Sequence, residues 1–459
     1  MTAAQPWLGA TAELANFASN INRRDIPDDA AEVIGKLVVD TLGVIIAGRN
    51  EPVTRRLAET LDGLGMRGSA IVPGMRGRYD IASAALLCGT AGHALDFDDY
   101  CFAMSGHPSV VILPGLLALA ARDGLTGTDI IAAYAVGFEC AIAVSYAMNP
   151  AHYLHGWHGT GTVGTIGAVT AAANLVHLSP AETMRAISIA ASSAGGLRQN
   201  FGTDVKPLHA GNAARNAVMA VELAKRGFSA DTEILEGSLG FMQAFSPASE
   251  VITRPKLELG KPWKVIDPGI TTKVYPSCGS THSGIEAMLE MLSQGLFSAA
   301  EVSEIDVAVT KVAANNLRFD RPQTGLEGKF SIHYCLARLL VSGTLDMADF
   351  TDAAVQQLEI RPLLSKIQLR ADSGLEGAYE WGQPRPSIVT VRLNSGVTHQ
   401  VRNESPAGSP GSLPKARLVE KLRSCLQHGD WESPVAPLVA AIDSFETTPV
   451  AELLAMLAP

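Results

Sequence analysis

Disulfide frameworks and zinc sites are the first things this sequence does without. Its six cysteines, Cys88, Cys101, Cys140, Cys278, Cys335 and Cys425, are scattered through 459 residues with no CxxC spacing, which suggests free thiols in a reducing compartment. Charge is also sparse: 18% of residues are Asp, Glu, Lys or Arg, and the formal net charge is −10. That acidic balance argues against a nucleic-acid or anionic-membrane partner. Any anion must be held by a local basic pocket, against the overall field. Apolar runs such as Val110–Ala121 are shorter than the roughly 20 residues a bilayer span takes. Met1 to Leu8 carries neither the basic nor the apolar region of a signal peptide, so a cytoplasmic protein is expected. No GxGxxG follows a strand, and Walker, HExxH and GxSxG patterns are missing. The expectation is therefore a site with no cofactor and no metal.

What the sequence has is small residues, 43 of them glycine, within a composition that is 47% apolar. Its length suits two or three domains. The chain is organised around Gly156-Trp157-His158-Gly159-Thr160-Gly161-Thr162, which leads into a Gly/Thr/Ala run reaching about Leu175. The run predicts a helix that neighbours can approach closely, with threonine hydroxyls available to cap it. Its N-terminus would suit a carboxylate, with His158 at the mouth. The plainer alternative is a buried helix with His158 a hydrogen-bonded core residue.

Helical patterns dominate up to Pro262, including 80–95, 110–122, 127–148, 163–176, 180–193 and 211–226. Strand-like alternation appears after Trp263, at 304–313 and across 387–401, the second a hairpin candidate around Asn394-Ser395-Gly396. A further helix is expected at 354–367. From Pro414 the texture becomes helical again. The expected fold is mainly α: a large all-helical domain, 1–262, completed by 406–459, and a smaller α+β lid domain, 263–405.

Five places set titratable or anion-binding groups among Gly, Pro or small residues. The first runs His93-Ala94-Leu95-Asp96-Phe97-Asp98-Asp99-Tyr100, followed by His107-Pro108-Ser109; Asp96 and His107 are close enough to converge across one loop. A solvated helix end or a metal site would use the same residues. His158 is the second place. In the third, Lys206-Pro207-Leu208-His209 precedes a helix expected near Gly211, which places Lys206 to clamp a carboxylate or carry a proton. A surface lysine is the plain reading. The fourth, Lys273-Val274-Tyr275-Pro276-Ser277-Cys278, and the fifth, Gly325-Leu326-Glu327-Gly328-Lys329-Phe330-Ser331-Ile332-His333-Tyr334, also sit ahead of helices.

In this order, these motifs resemble the MmgE/PrpD family, whose activities include dehydration of 2-methylcitrate, decarboxylation of cis-aconitate and epimerisation of iminodisuccinate. The resemblance covers nearly the whole chain. It implies a homodimer with a cofactor-independent site between the two domains, taking a small polycarboxylate. Carried over by motif, it implies His107, His158, Lys206 and Cys278 as catalytic residues and Asp96, Lys273 and Tyr334 as substrate-binding residues. One departure is Cys278, where the decarboxylase branch has a histidine. The implied function is a lyase that removes a proton α to a carboxylate and eliminates water. The alternatives are an epimerase of a dicarboxylate, a cis-aconitate-type decarboxylase, or a catalytically silent ligand-binding homologue.

Overall fold

The computed structural model describes residues 9–246, 258–376, 382–409, 413–432 and 435–459. The expectation for Met1–Leu8 lies outside the described residues. Helices make the larger part. Ala10–Asn20 and Asp28–Gly48 are followed by Ile81–Ala94, Ser109–Asp123, Gly127–Met148, Val163–Leu175, Pro180–Ala191 and Val205–Lys225. Most of their apolar faces share one continuous core, which also takes Leu422, Leu426, Phe445 and Leu453 from the C-terminal segment, while Ile81–Ala94 turns Leu86, Leu87 and Ala91 to a smaller cluster with Ile45, Leu61 and Tyr79. Gly127–Met148 is long and apolar enough to cross a membrane by composition, yet 94% of its apolar window is buried inside the protein. That surface is spent on neighbouring helices.

Small residues set how near these helices come. A Cβ on Gly211 would overlap the Leu86 carbonyl and the Thr90 hydroxyl. Helix Val205–Lys225 therefore lies directly on Ile81–Ala94, whose Asp80 caps it through the Ser83 amide. That contact brings Lys206 beside the loop that leaves the second helix at Leu95.

The second core is separate and mixed. A four-stranded sheet runs in the order Ile367–Ala371, Val302–Val309, Ser387–Leu393, Thr398–Asn403. The first pair is parallel and the others antiparallel. Helices Gly279–Ser293 and Ile332–Ser342 pack with it. The expected hairpin around Asn394-Ser395-Gly396 is present. The helix expected at 354–367 is not: two single turns, Asp352–Val355 and Arg361–Leu364, lead into a strand. Its short apolar run fits a half-buried edge strand as well as a helix face. A small hairpin, Arg67–Ile71 with Arg78–Tyr79, also lies in the helical part.

Candidate active site

The titratable residues gather where the loop after Ile81–Ala94 meets the second core. Asp96 has φ +52°, a left-handed conformation that Asp tolerates better than most residues. Three buried lysines from three different segments hold successive carbonyls of that loop. Lys329 Nζ donates to Leu95 O at 2.7 Å, Lys273 Nζ to Asp96 O at 2.8 Å and Lys421 Nζ to Phe97 O at 2.7 Å. Lys329 also donates to Pro276 O, and burial pulls its pKa down to about 8, with Asp96 pulling the other way. The strained turn is thus pinned from behind.

Two of the cations share one carboxylate oxygen. Lys273 Nζ lies 2.5 Å and Lys206 Nζ 3.0 Å from Asp96 Oδ1, while Oδ2 is buried without a hydrogen bond. Burial works to raise the Asp96 pKa, but Lys206 and Lys273 hold it well below the usual carboxylate range. Helix Val205–Lys225 begins before Lys206, not near Gly211 as the sequence suggested. Pro207 fits there because the first turn of a helix needs no amide from it.

His107 is held by a carboxylate and a carbonyl. Its Nδ1 lies 2.9 Å from Asp98 Oδ2 and 2.9 Å from Asp99 O. Those acceptors place the proton on Nδ1 and leave Nε2 as an acceptor, 3.7 Å from Asp96 Oδ1. The same Asp98 carboxylate accepts from His93 Nδ1 at 3.0 Å. Burial lowers the His107 pKa, opposed by Asp98 and reinforced by Lys273, so the ring is neutral at neutral pH. Burial works to raise the Asp98 pKa, yet His107 and His93 drive it well below normal. A histidine oriented by an ionised carboxylate is the recurring form of a general base.

His158 stands on the same wall with both nitrogens engaged inside the protein. Nδ1 is 3.1 Å from His209 Nδ1, and Nε2 is 2.8 Å from the Thr160 hydroxyl. Thr160 in turn accepts the His107 amide at 3.1 Å. A Cβ on Gly106 or Gly159 would overlap the facing backbone, so these glycines let the His107 and His158 loops touch.

The cavity they enclose is small, about 50 Å³, and is lined by Asp96, His107, His158, Lys206 and Phe201 on one side. Cys278, Gly279, Ser280, Asn316, Phe330 and Arg385 line the other. A larger opening of about 440 Å³ lies between helix Asp28–Gly48 and the C-terminal segment and contains none of these groups; the chemistry places the site in the smaller one. Asn316 Nδ2 donates to Ser280 Oγ and its Oδ1 accepts from Tyr153 and Arg198, which ties the two walls together.

Several expectations are corrected here. Tyr334 does not line the cavity: it is fully buried in the second core, where its hydroxyl donates to Asp349 O. Its place in the site was an expectation carried over from the family resemblance. Lys273 is fully buried and touches Asp96 from behind, so it positions that carboxylate rather than facing a substrate. Thr162 does not cap helix Val163–Leu175; its hydroxyl donates to His158 O and meets His152. It is absent from the cavity wall, where the helix end facing a ligand is Gly279–Ser293.

The sequence reading missed Asp98, His93 and His209 as site residues although it quoted all three. It missed Arg385 outright. The Pro384-Arg385-Pro386 run was the available signal, since prolines on both sides stiffen the backbone that carries a cation. His93, Asp96, Asp98 and His107 bring ligand atoms within 4.8 Å of one another. A divalent cation suits that set poorly, because Asp96 Oδ1 already carries two ammonium groups.

Over all of this chain and 99% of its own length, a cis-aconitate decarboxylase-like protein of Aspergillus oryzae is 27% identical. A cis-aconitate decarboxylase of Aspergillus terreus is 28% identical over 97% of this chain and 96% of its own, and that of Mus musculus 27% over 95% and 90%. Residues 12–253 match the MmgE/PrpD N-terminal domain and 275–433 the MmgE/PrpD C-terminal domain, and the chain belongs to the MmgE/PrpD family.

Proposed function

We propose that the protein is a cofactor-independent lyase that removes a proton α to a carboxylate of a small di- or tricarboxylate and expels water. The observation that carries this reading is the neutral Nε2 of His107, backed by ionised Asp98 and lying with Lys206 around one Asp96 oxygen on the same wall of the cavity. Removing such a proton leaves a carbanion stabilised as an enediolate, and an ammonium beside the carboxylate spreads that charge. Lys206 supplies it. The amide end of helix Gly279–Ser293 and the Arg385 guanidinium offer a second anion contact on the opposite wall. The leaving hydroxide needs an acid, for which Cys278 and Lys206 are the cavity-lining candidates.

A second reading is decarboxylation, favoured by the names of the relatives. It needs a proton delivered to carbon, whereas a histidine held neutral is suited to taking one. The test is incubation with 2-methylcitrate, citrate and cis-aconitate, following ultraviolet absorbance, CO₂ release and solvent-deuterium uptake. Rising absorbance without CO₂ supports dehydration. CO₂ from cis-aconitate replaces it with the second reading. Deuterium uptake alone would indicate an epimerase, and silence in all three would overturn the lyase.

A further inference from the structure

His209 lies on the far side of His158 from the cavity. It belongs to the first turns of helix Val205–Lys225, one turn on from Lys206, and its ring packs against Gly161 and Gly196. It also lines a second cleft of about 500 Å³, walled by Ser193, Asn200, Asn212, Arg215 and Asn216. Ser193 and Arg215 in that wall are exposed, so the cleft opens to solvent. The two imidazoles thus lie between the small active-site cavity and an open, polar cleft.

We propose that His158 and His209 form a proton port joining the active-site cavity to this cleft. The proposal rests on the proton chemistry proposed above. Two neutral rings with Nδ1 atoms 3.1 Å apart share one hydrogen between them. Burial first, then His93 and Lys206, lowers the His209 pKa to about 4. Burial, His209 and Lys206 also hold His158 well below normal, with His93 and His107 adding to the effect. Both rings are therefore uncharged at neutral pH.

In the outward step, a water in the cavity carries the proton from His107 to His158 Nε2, which gives up its bond to Thr160. The Nδ1 proton of His158 crosses to His209 Nδ1, and the Nε2 proton of His209 passes to water in the cleft. One proton enters the pair, one leaves, and both rings change tautomer. The inward step reverses this. Dehydration uses one passage out for the carbon-bound proton and one in to restore the proton that Cys278 or Lys206 gives to the departing hydroxide, so the pair ends as it began. The 6.4 Å between the His107 and His158 ring centres is too long for a direct hydrogen bond between the rings, so the transfer needs that water. A cavity of about 50 Å³ holds one or two waters of roughly 30 Å³ each.

His209→Ala, with His209→Gln as the variant that better preserves packing, tests the port. Turnover should fall about tenfold or more with KM unchanged. The solvent isotope effect should rise. Imidazole added to His209→Ala should restore the rate in proportion to its concentration, because the cleft admits it to the vacated position. Unchanged turnover, or a loss that imidazole fails to repair in a variant with native circular dichroism, overturns the proposal. A second arm needs no substrate: ¹⁵N NMR of the histidine rings should show one protonated Nδ1 shared by His158 and His209. It should also show His209 shifting in His158→Gln. Two unprotonated Nδ1 atoms would refute the port even if the lyase reading stands. A shared proton together with a silent substrate panel would refute the lyase reading alone.

Discussion

The two walls of the cavity are built differently. The helical wall presents Asp96, His107, His158 and Lys206, with Asp98, His93 and His209 directly behind. Every one of these charges or imidazoles is held by another buried polar group. The α+β wall presents a thiol, a helix amino end, an amide, a phenyl ring and one guanidinium. Proton transfer demands fixed geometry between titratable groups, and the helical wall supplies it. Recognition of a second carboxylate demands only donors of the right reach, and the α+β wall supplies those. Proton abstraction therefore falls to the helical wall and recognition of a second carboxylate to the α+β wall.

The sharpest break of that division is His107→Gln, which should lower kcat by roughly 10²-fold to 10⁴-fold while leaving KM near its parent value. Asp98→Asn should also lower kcat, and it carries a second signature. Asp98 raises the His107 pKa against the larger effect of burial. The base works only when neutral, so activity is lost as pH falls through that pKa. Removing Asp98 should move this acid limb to lower pH, as a profile of kcat/KM would show.

Lys206 comes next. In Lys206→Met the KM for a polycarboxylate should rise about tenfold or more, and salt should weaken binding less than in the parent. Unchanged kinetics and salt dependence would remove Lys206 from the site. On the other wall, Arg385→Met should raise KM with a smaller change in kcat. A collapse of kcat with unchanged KM there would erase the contrast between the walls.

A cavity of about 50 Å³ is well below the roughly 300–1,000 Å³ of ordinary ligand sites, so the walls must part to admit substrate. Saturating substrate should then slow hydrogen exchange around Gly260–Trp263 and Ser405–Ser409. No change at either segment would count against a closing lid.

Acid should also unfold the protein early. Burial holds His93 and His282 at about 3, and His152 and His209 at about 4. Each is protonated in the unfolded chain below about pH 6.5 but stays neutral in the fold until its lowered pKa. The unfolded state therefore binds more protons across that window, and Tm should fall as pH drops from about 7 to 4. Asp99, pushed by burial up to about 8, has the opposite sign and makes the fall shallower. The smallest kinetic effect is expected from Tyr334→Phe, which leaves the Asp349 carbonyl without its donor. It should cost about 1–3 kcal/mol of stability with kcat and KM unchanged.

The helical and mixed textures were legible in the sequence because small-residue helices and β-branched alternation leave different periods. The mouth of the site was legible too, through the loops carrying Asp96, His107, His158, Lys206 and Cys278. What stayed hidden was which neighbour faces which way. Tyr334 and Lys329 sit in one motif, yet one serves a core and the other clamps Leu95 O. Lys421, from the C-terminal helix, reaches Phe97 O across 324 positions of sequence, and no local pattern marks such a contact. His209 was quoted beside Lys206, but its pairing with His158 depends on how closely two helices approach.

The central claim is that His107 takes the carbon-bound proton, and its most direct test is proton transfer to solvent observed by ¹H NMR. In D₂O the parent protein should transfer the hydrogen α to the substrate carboxylate to solvent as the C=C bond forms, and His107→Gln should stop that transfer while still binding the substrate. Transfer and turnover at the parent rate in His107→Gln would contradict the account.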